Sequence, residues 1–251
     1  MHNRFFIEEK IETDGKISGK RIVLESITSH IKAFRKQTGS EVMLYDGAGT
    51  VFSAVITDIS KRSTALELLS LERYTEDGPK INIFLPLITS HVMDRLIARI
   101  FELEINALIP IVTERSIALK NRKEIDSKMS KWDKISKGAM IIAGKNFSTE
   151  VKEPAVLKEA FKSAENFDAK LIAVPNADLP LKKYLETLDS NGKNISNISM
   201  GIFIGPEGDF SASELELSKK YGFTHVKLTD YIMSAFTASI YSASNLICYL
   251  H

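Results

Sequence analysis

Two rhythms of hydrophobic and polar positions divide the chain. From Arg4 to about Leu71 the apolar residues come in short, β-like runs, "RFFIEE", "KRIVLE", "EVMLYDG", "TVFSAVITDI" and "TALELLSL", separated by turns that contain Gly, Asp or Ser. This pattern predicts a small β-barrel or meander. One stretch, "TSHIKAFRKQTG", reads instead as a helix, opened by the capping residues Thr28 and Ser29, closed by Gly39, and suited to plug one mouth of the barrel. The charged "RYTEDGPK" (73–80) carries glycine and proline and reads as a linker. Beyond it strands alternate with helices. The strands are "INIFLPLI", "ALIPIV", "AKLIAVP", "SMGIFIG" and "HVKL"; the helices are "HVMDRLIARIFELE", "DSKMSKWDKISKGAMIIAG", "PLKKYLETLDS", "SASELELSKKYG" and "SAFTASIYSASNLICYL". Such alternation implies a parallel sheet covered by helices on both faces. The expected fold class is therefore α/β, with a barrel domain over residues 1–72 and an α/β domain over 78–251.

The composition of 251 residues, 44% hydrophobic and 26% charged, suits two modest globular domains. With 33 Lys+Arg against 32 Asp+Glu, any nucleic-acid partner must be met by a local positive field. The single cysteine, Cys248, lies in the apolar run "NLICYL" and reads as a buried inert thiol, so no disulfide framework exists. No apolar run approaches the roughly 18 residues of a membrane span, and "MHNRFFIEEK" lacks the layout of a secretory signal. The expected home is the cytoplasm. Five scattered histidines, His30 among them, argue against a metal site.

Ligands of open parallel sheets sit beyond the carboxyl ends of strands, where loop N–H groups and helix starts converge. Three such tips stand out: "IAVPNADLP" after Val174, "IFIGPEGDFSASE" after Phe203, and "VKLTDYIMS" after Val226. In the middle tip Gly205 and Gly208 permit close backbone approach, Pro206 fixes direction, and Ser211 to Glu214 matches the capping box S-x-x-E. A phosphate ligand fits poorly, because no Gly-rich run ends in Lys-Ser/Thr and Glu207 would repel it. The loop reads either as a plain strand–turn–helix junction or as the wall of a pocket for a neutral or cationic ligand held by backbone.

These residues resemble the bacterial 16S ribosomal RNA uridine-N3 methyltransferases of the SPOUT superfamily. The family's loop G-P-E-G-G-F/L-S-x-x-E stands here as Gly205 to Glu214, with Asp209 at the second central glycine. "RFF" at Arg4 to Phe6, "HIKAFRKQTGSEVMLYDGAG" and "PIVTERS" ending at Ser116 resemble further family segments in the right order. The resemblance implies a PUA-like RNA-binding barrel followed by an α/β domain with a C-terminal trefoil knot, a homodimer, and S-adenosylmethionine held in the knot. The cofactor positions it implies are Val174 and Pro175, then Ile204, Gly205, Pro206, Glu207 and Gly208, then Leu228, Thr229, Ile232 and Met233. Departures fall on polar positions. Where the family reads L-G-x-R-I-L-R-x-E-T-A, two arginines and a glutamate are replaced by Tyr231, Ser234 and Phe236; where it reads A-x-x-Q-x-x-R, Ile142 and Lys145 stand.

Methylation at uridine N3 needs orientation, donors for the two flanking carbonyls, and a route for the proton. Glu207 is the first candidate, as base or hydrogen-bond partner, against the alternative that it merely ties loop N–H groups together. Arg115 in "TERS" can stabilise the pyrimidine oxyanion or a phosphate, or else form a surface ion pair with Glu114 or another acid. Tyr231 can donate one hydrogen bond or stack on a base, or simply pack under the last helix. Arg4, Lys32, Arg35 and Lys36 form a basic patch for RNA phosphates or a solvated face. Asp46 and Gly47 read as a hairpin turn, and Trp132 as interface or core. The function expected is methylation of a 16S ribosomal RNA uridine in the small subunit. The alternatives are an assembly factor that has lost turnover and a superfamily enzyme aimed at another RNA base.

Overall fold

The computed structural model describes residues 3–14, 17–117, 121–190 and 195–251. The chain divides into two compact units, Met1–Glu76 with Lys137–Ser148, and Asp77–Ser136 with Thr149–His251.

The first unit is a five-stranded sheet of β1 (Arg4–Phe6), β2 (Arg21–Leu24), β3 (Glu41–Tyr45), β4 (Thr50–Ile59) and β5 (Thr64–Arg73), in the order β1-β3-β4-β5-β2. Only β1 and β3 run parallel. Two register shifts between β4 and β5 bend the sheet around its core, giving the barrel-like form. Alternate residues Val42 and Leu44, Ala54 and Ile56, Leu66 and Leu68 fill that core, as the period-2 pattern requires. The Asp46 carboxylate accepts the Ala48 and Thr50 N–H groups at 2.8 and 2.9 Å, which folds the expected β3–β4 hairpin.

Helix α1 (Thr28–Ala33) seats Ile27 and Ile31 in the core. Its ends differ from the expected ones. Thr28 does not cap: its hydroxyl is buried, donating to the Leu24 carbonyl at 3.1 Å and meeting the Thr64 hydroxyl at 3.0 Å. Gly39 does not close the helix either, since its N–H pairs with Ile56 and the last turn ends around Arg35. His30 is exposed on α1. The end of α3 (Arg122–Ala143) joins this unit, packing Met140 and Ile141 against Tyr45, Val51 and Phe6.

The second unit holds a seven-stranded parallel sheet, β6 (Lys80–Pro86), β7 (Ala107–Val112), β8 (Glu150–Val151), β9 (Ala155–Val156), β10 (Ala169–Ala173), β11 (Ser199–Phe203) and β12 (Thr224–Val226). The order is β12-β10-β11-β6-β7-β8, with β9 also on β7. Around it lie α2 (Ser90–Ile100), the start of α3, α4 (Leu157–Ser163), α5 (Leu181–Ser190), α6 (Ala212–Lys220) and α7 (Ala235–Leu250). Phe84 and Phe203 stack at 4.0 Å on neighbouring strands, and Phe161 and Phe223 close the cluster. Trp132 is core, its indole N–H donating to Asp94 at 3.2 Å. Cys248 is exposed, because it falls on the outer face of α7. Among the described residues no helix is long and apolar enough to cross a membrane.

Candidate active site

The strand order places the site. From β6 the chain moves one way to β7, and later returns on the other side of β6 as β11. The gap between β6 and β11 is thus a switch point, beyond whose carboxyl ends the loops diverge and leave room for a ligand.

The loop after β11 begins with the Ile204 N–H donating to the Phe84 carbonyl at 2.8 Å. Pro206 is buried, and its carbonyl accepts the Asp209 N–H at 2.9 Å, making a tight turn. Asp209 adopts φ 59°, a left-handed conformation that aspartate tolerates, so the turn survives at a position where the family has glycine. A Cβ on Gly205 would lie 3.0 Å from the Asp209 carboxylate and 3.2 Å from the Phe210 ring, so any side chain there would press on both.

The capping box at Ser211–Glu214 forms as expected, and Glu214 does more. It is 6% exposed, and its two oxygens accept the Ser211 and Glu114 N–H groups, each at 2.8 Å. One buried carboxylate therefore joins the start of α6 to the loop after β7. The Arg115 guanidinium donates to the Gly208 carbonyl, and the Glu114 carboxylate accepts the Ser213 hydroxyl at 2.9 Å. Arg115 has no ion pair among the described residues; Glu114 faces Ser213 instead. Glu207 is exposed with no partner among the described residues, and the loop N–H groups it was a candidate to tie are held by Asp209 and Glu214.

A cleft of about 220 Å³ opens at this point. Its walls are Leu87, Ile88, Thr89 and Val92 from the tip of β6 and the start of α2; Arg115, Ser116 and Ile117 after β7; Pro206 and Glu207; and Ser234, Ala235 and Phe236 at the start of α7. One guanidinium and one carboxylate thus face a largely apolar space. Among the described residues no group of three or more His, Cys, Asp or Glu is arranged to hold a metal.

The other two tips are neighbours, because β10 lies between β11 and β12 and the Val174 N–H donates to Val226 at 2.9 Å. Pro175 is exposed. Leu228, Thr229 and Met233 are half-buried, while Tyr231 and Ile232 are 86% and 88% exposed. The Thr229 hydroxyl donates to the Tyr231 carbonyl at 2.8 Å and shapes the loop. Lys227 pairs with Asp230 at 2.8 Å and, by donating to it, holds that carboxyl below its ordinary range. Tyr231 is not among the cleft residues, so Arg115 and Glu207 come together without it. Of the patch residues, Arg4 lies over the Tyr45 ring and against Gly144, whereas Lys32, Arg35 and Lys36 sit at α1. The residues missed in sequence are those of the β6 tip and Glu214's second acceptor role. The only signal for the former was the strand-to-helix junction "PLITSH".

Comparison with known proteins agrees with this geometry. The sequence profile of the RNA methyltransferase PUA domain matches residues 25–69. A ribosomal RNA small subunit methyltransferase E from Mesomycoplasma hyopneumoniae is 23% identical over 97% of this chain and 98% of its own length. One of the same name from Aquifex aeolicus is 24% identical over 90% and 93%. Among solved structures, a methyltransferase from Legionella pneumophila with bound cofactor SAM superposes with a TM-score of 0.84 at 22% identity, covering 98% of this chain and 97% of that one. A ribosomal RNA small subunit methyltransferase E from Neisseria gonorrhoeae bound to S-adenosyl methionine gives 0.81 at 22% identity over the same shares. The profile of the RNA methyltransferase domain matches residues 76–247, more than half the chain and the whole of the cleft, and the protein belongs to that RNA methyltransferase family.

Proposed function

We propose that the protein transfers the methyl group of S-adenosylmethionine to N3 of a uridine in the 16S RNA of the small ribosomal subunit, acting in the cytoplasm as a homodimer. The observation that carries this reading is the cleft between the β6 and β11 tips, where Arg115 and Glu207 stand over apolar walls. S-adenosylmethionine, when bound, supplies an electrophilic sulfonium methyl. The eleven positions on the three adjacent tips (Val174, Pro175, Ile204 to Gly208, Leu228, Thr229, Ile232 and Met233) suit it. They offer backbone groups and apolar side chains, include no Lys or Arg, and have Glu207 as their one acid. The bound SAM named for the two solved relatives supports the same assignment.

The N3 proton of a uridine must leave as the N–C bond forms, and the negative charge spreads onto O2 and O4. Arg115 retains N–H groups beyond the one given to Gly208, and its loop is already fixed by Glu214, so it is preorganised to donate to one of those oxygens. Glu207 is positioned to accept the proton. Ile88, Val92 and Phe236 offer flat apolar walls to the base. In the resembling superfamily the three tips form a trefoil knot packed against a second subunit. The exposure of Tyr231 and Ile232 supports a partner copy there.

A second reading is an RNA-binding assembly factor without turnover. It is favoured by Ser234 and Phe236, which line the cleft where the family carries an arginine and a glutamate. Calorimetry with S-adenosylmethionine and methyl-transfer assays on small subunits separate the two. Arg115→Ala should keep cofactor affinity and lower kcat by about 100-fold, as removal of an oxyanion donor does, and Glu207→Gln should lower kcat without raising KM. Cofactor binding without any transfer by the unmodified protein supports the second reading. Absence of cofactor binding rejects methyl transfer to this or any other RNA base.

A further inference from the structure

The loop after β11 carries a charge that its backbone does not require. Asp209 sits at φ 59°, a region that glycine enters without strain, and keeps a carboxylate there. This carboxylate is half-buried and folds back over the start of its own loop. Its Oδ1 accepts the Phe210 N–H at 2.8 Å and would lie 3.0 Å from a Cβ on Gly205. The second oxygen has no partner, and no cation pairs with the group, among the described residues. Arg115 touches the same loop at Gly208, where its guanidinium donates to the backbone carbonyl rather than to Asp209.

A negative charge without a paired cation therefore stands beside Gly205, one of the backbone positions that suit S-adenosylmethionine. Its role rests on the reading of the three tips as the seat of that cofactor. Before transfer the cofactor bears a sulfonium, an ammonium and a carboxylate, which leaves one net positive charge. Once the methyl has gone to nitrogen and the carbon–sulfur electron pair has returned to sulfur, the thioether product has none. The two molecules otherwise offer the same hydrogen-bonding groups, so a pocket of neutral backbone groups holds them alike. A fixed carboxylate does not, because its attraction for the sulfonium vanishes with the charge. Glu207 lies on the same loop but is exposed, so water and salt screen it more fully.

We propose that Asp209 sets the preference of the site for the cationic cofactor over its neutral product, S-adenosylhomocysteine, and so favours exchange of product for fresh cofactor after each transfer. At the intermediate dielectric of a half-buried position, one such pair of opposite charges changes affinity by about three- to ten-fold. Arg115 is common to the unmodified protein and to every Asp209 variant, so its charge drops out of the comparison between them.

The test is calorimetry on the full chain with three ligands: S-adenosylmethionine, S-adenosylhomocysteine, and sinefungin, in which a carbon bearing an ammonium replaces the sulfonium and keeps its positive charge. Asp209→Asn retains a residue that tolerates the left-handed turn and an oxygen for the Phe210 N–H, while removing the charge. It should weaken S-adenosylmethionine and sinefungin by about three- to ten-fold and leave S-adenosylhomocysteine within about two-fold. Asp209→Gly, which relaxes the backbone, should show the same selective loss, and this separates charge from any effect on folding. Raising salt from about 0.05 to 0.5 M should narrow the preference of the unmodified protein more than that of either variant. Equal losses for all three ligands, as from a hydrogen bond to groups they share, overturn the charge role, as does no loss at all. Both of those results leave methyl transfer standing. An unmodified protein that binds none of the three overturns the charge role and the proposed methyl transfer together.

Discussion

Glu214 is where the rigidity of the cleft can be measured. Its carboxylate is 6% exposed and accepts one N–H from each of two loops at 2.8 Å, so each bond is charge-assisted and shielded from water. Glu214→Gln preserves shape but turns one acceptor into a donor that faces an N–H. One charge-assisted bond of about 1.5–3 kcal/mol is lost, the other is weakened, and a buried N–H is left unpaired, so the expected cost is about 2–3 kcal/mol. For a chain of this size that lowers the unfolding midpoint by about 4–10 °C. Glu214→Ala removes both acceptors and should cost about 4–5 kcal/mol. Ser213→Ala, which loses the contact to Glu114 and the 2.8 Å bond with the Ser211 hydroxyl but leaves both Glu214 acceptors in place, should cost about 0.5–1.5 kcal/mol, less than either Glu214 variant. Urea and thermal unfolding followed by circular dichroism read all three. If the glutamine variant lies within about 0.5 kcal/mol of the parent, the carboxylate does not hold the two loops, and Arg115 is not preorganised by it.

Two further perturbations probe the first unit. Gly49 has φ 93°, and an added Cβ would lie 2.6 Å from the Phe147 ring and 2.7 Å from the Tyr74 carbonyl, so Gly49→Ala should destabilise by about 3 kcal/mol or more in urea titrations. A cost below about 1 kcal/mol would show that this hairpin is looser than its geometry. Burial alone would push the Glu9 carboxyl up, but the Ser26 hydroxyl and N–H and the Glu25 N–H outweigh it and hold the group below its ordinary value. A depressed carboxyl stabilises above its unfolded pKa and loses that contribution as pH falls through the folded value. The stability gap between the parent and Glu9→Gln should therefore narrow as pH drops below about 4; a gap independent of pH contradicts the assignment.

Much of the fold was legible because burial imposes pattern. "ALIPIV" is β7 in full, a continuous apolar run of the kind that a strand covered on both faces requires. β8, β9 and α4 were not legible: two-residue strands have no period, and they exist only because β7 offers them an edge. At α1 the usual capping residues misled, since Thr28 is spent on Thr64 and the left-handed residue that closes the helix is Arg35, while Gly39, at φ 87°, turns the chain only after the helix has ended. Met140 and Ile141 continue a helical pattern, and nothing local reveals that their partners are Tyr45 and Val51. In the site, the loop from Gly205 to Glu214 was readable because glycine, proline and a capping box each have a local cause. Leu87, Ile88 and Thr89 were not, being ordinary residues given meaning by β11 alongside. Glu214's bond to the Glu114 N–H spans a hundred positions and leaves no trace in either segment.

The central claim is that the cleft at the β6–β11 switch point orients a uridine for methyl transfer to N3. Its most direct test incubates the protein with isotopically labelled S-adenosylmethionine and small ribosomal subunits lacking the modification, then locates the label by mass spectrometry of digested 16S RNA. The account predicts a single labelled methyl on N3 of one uridine. Label on another atom or base, or none from a protein that binds the cofactor, contradicts it.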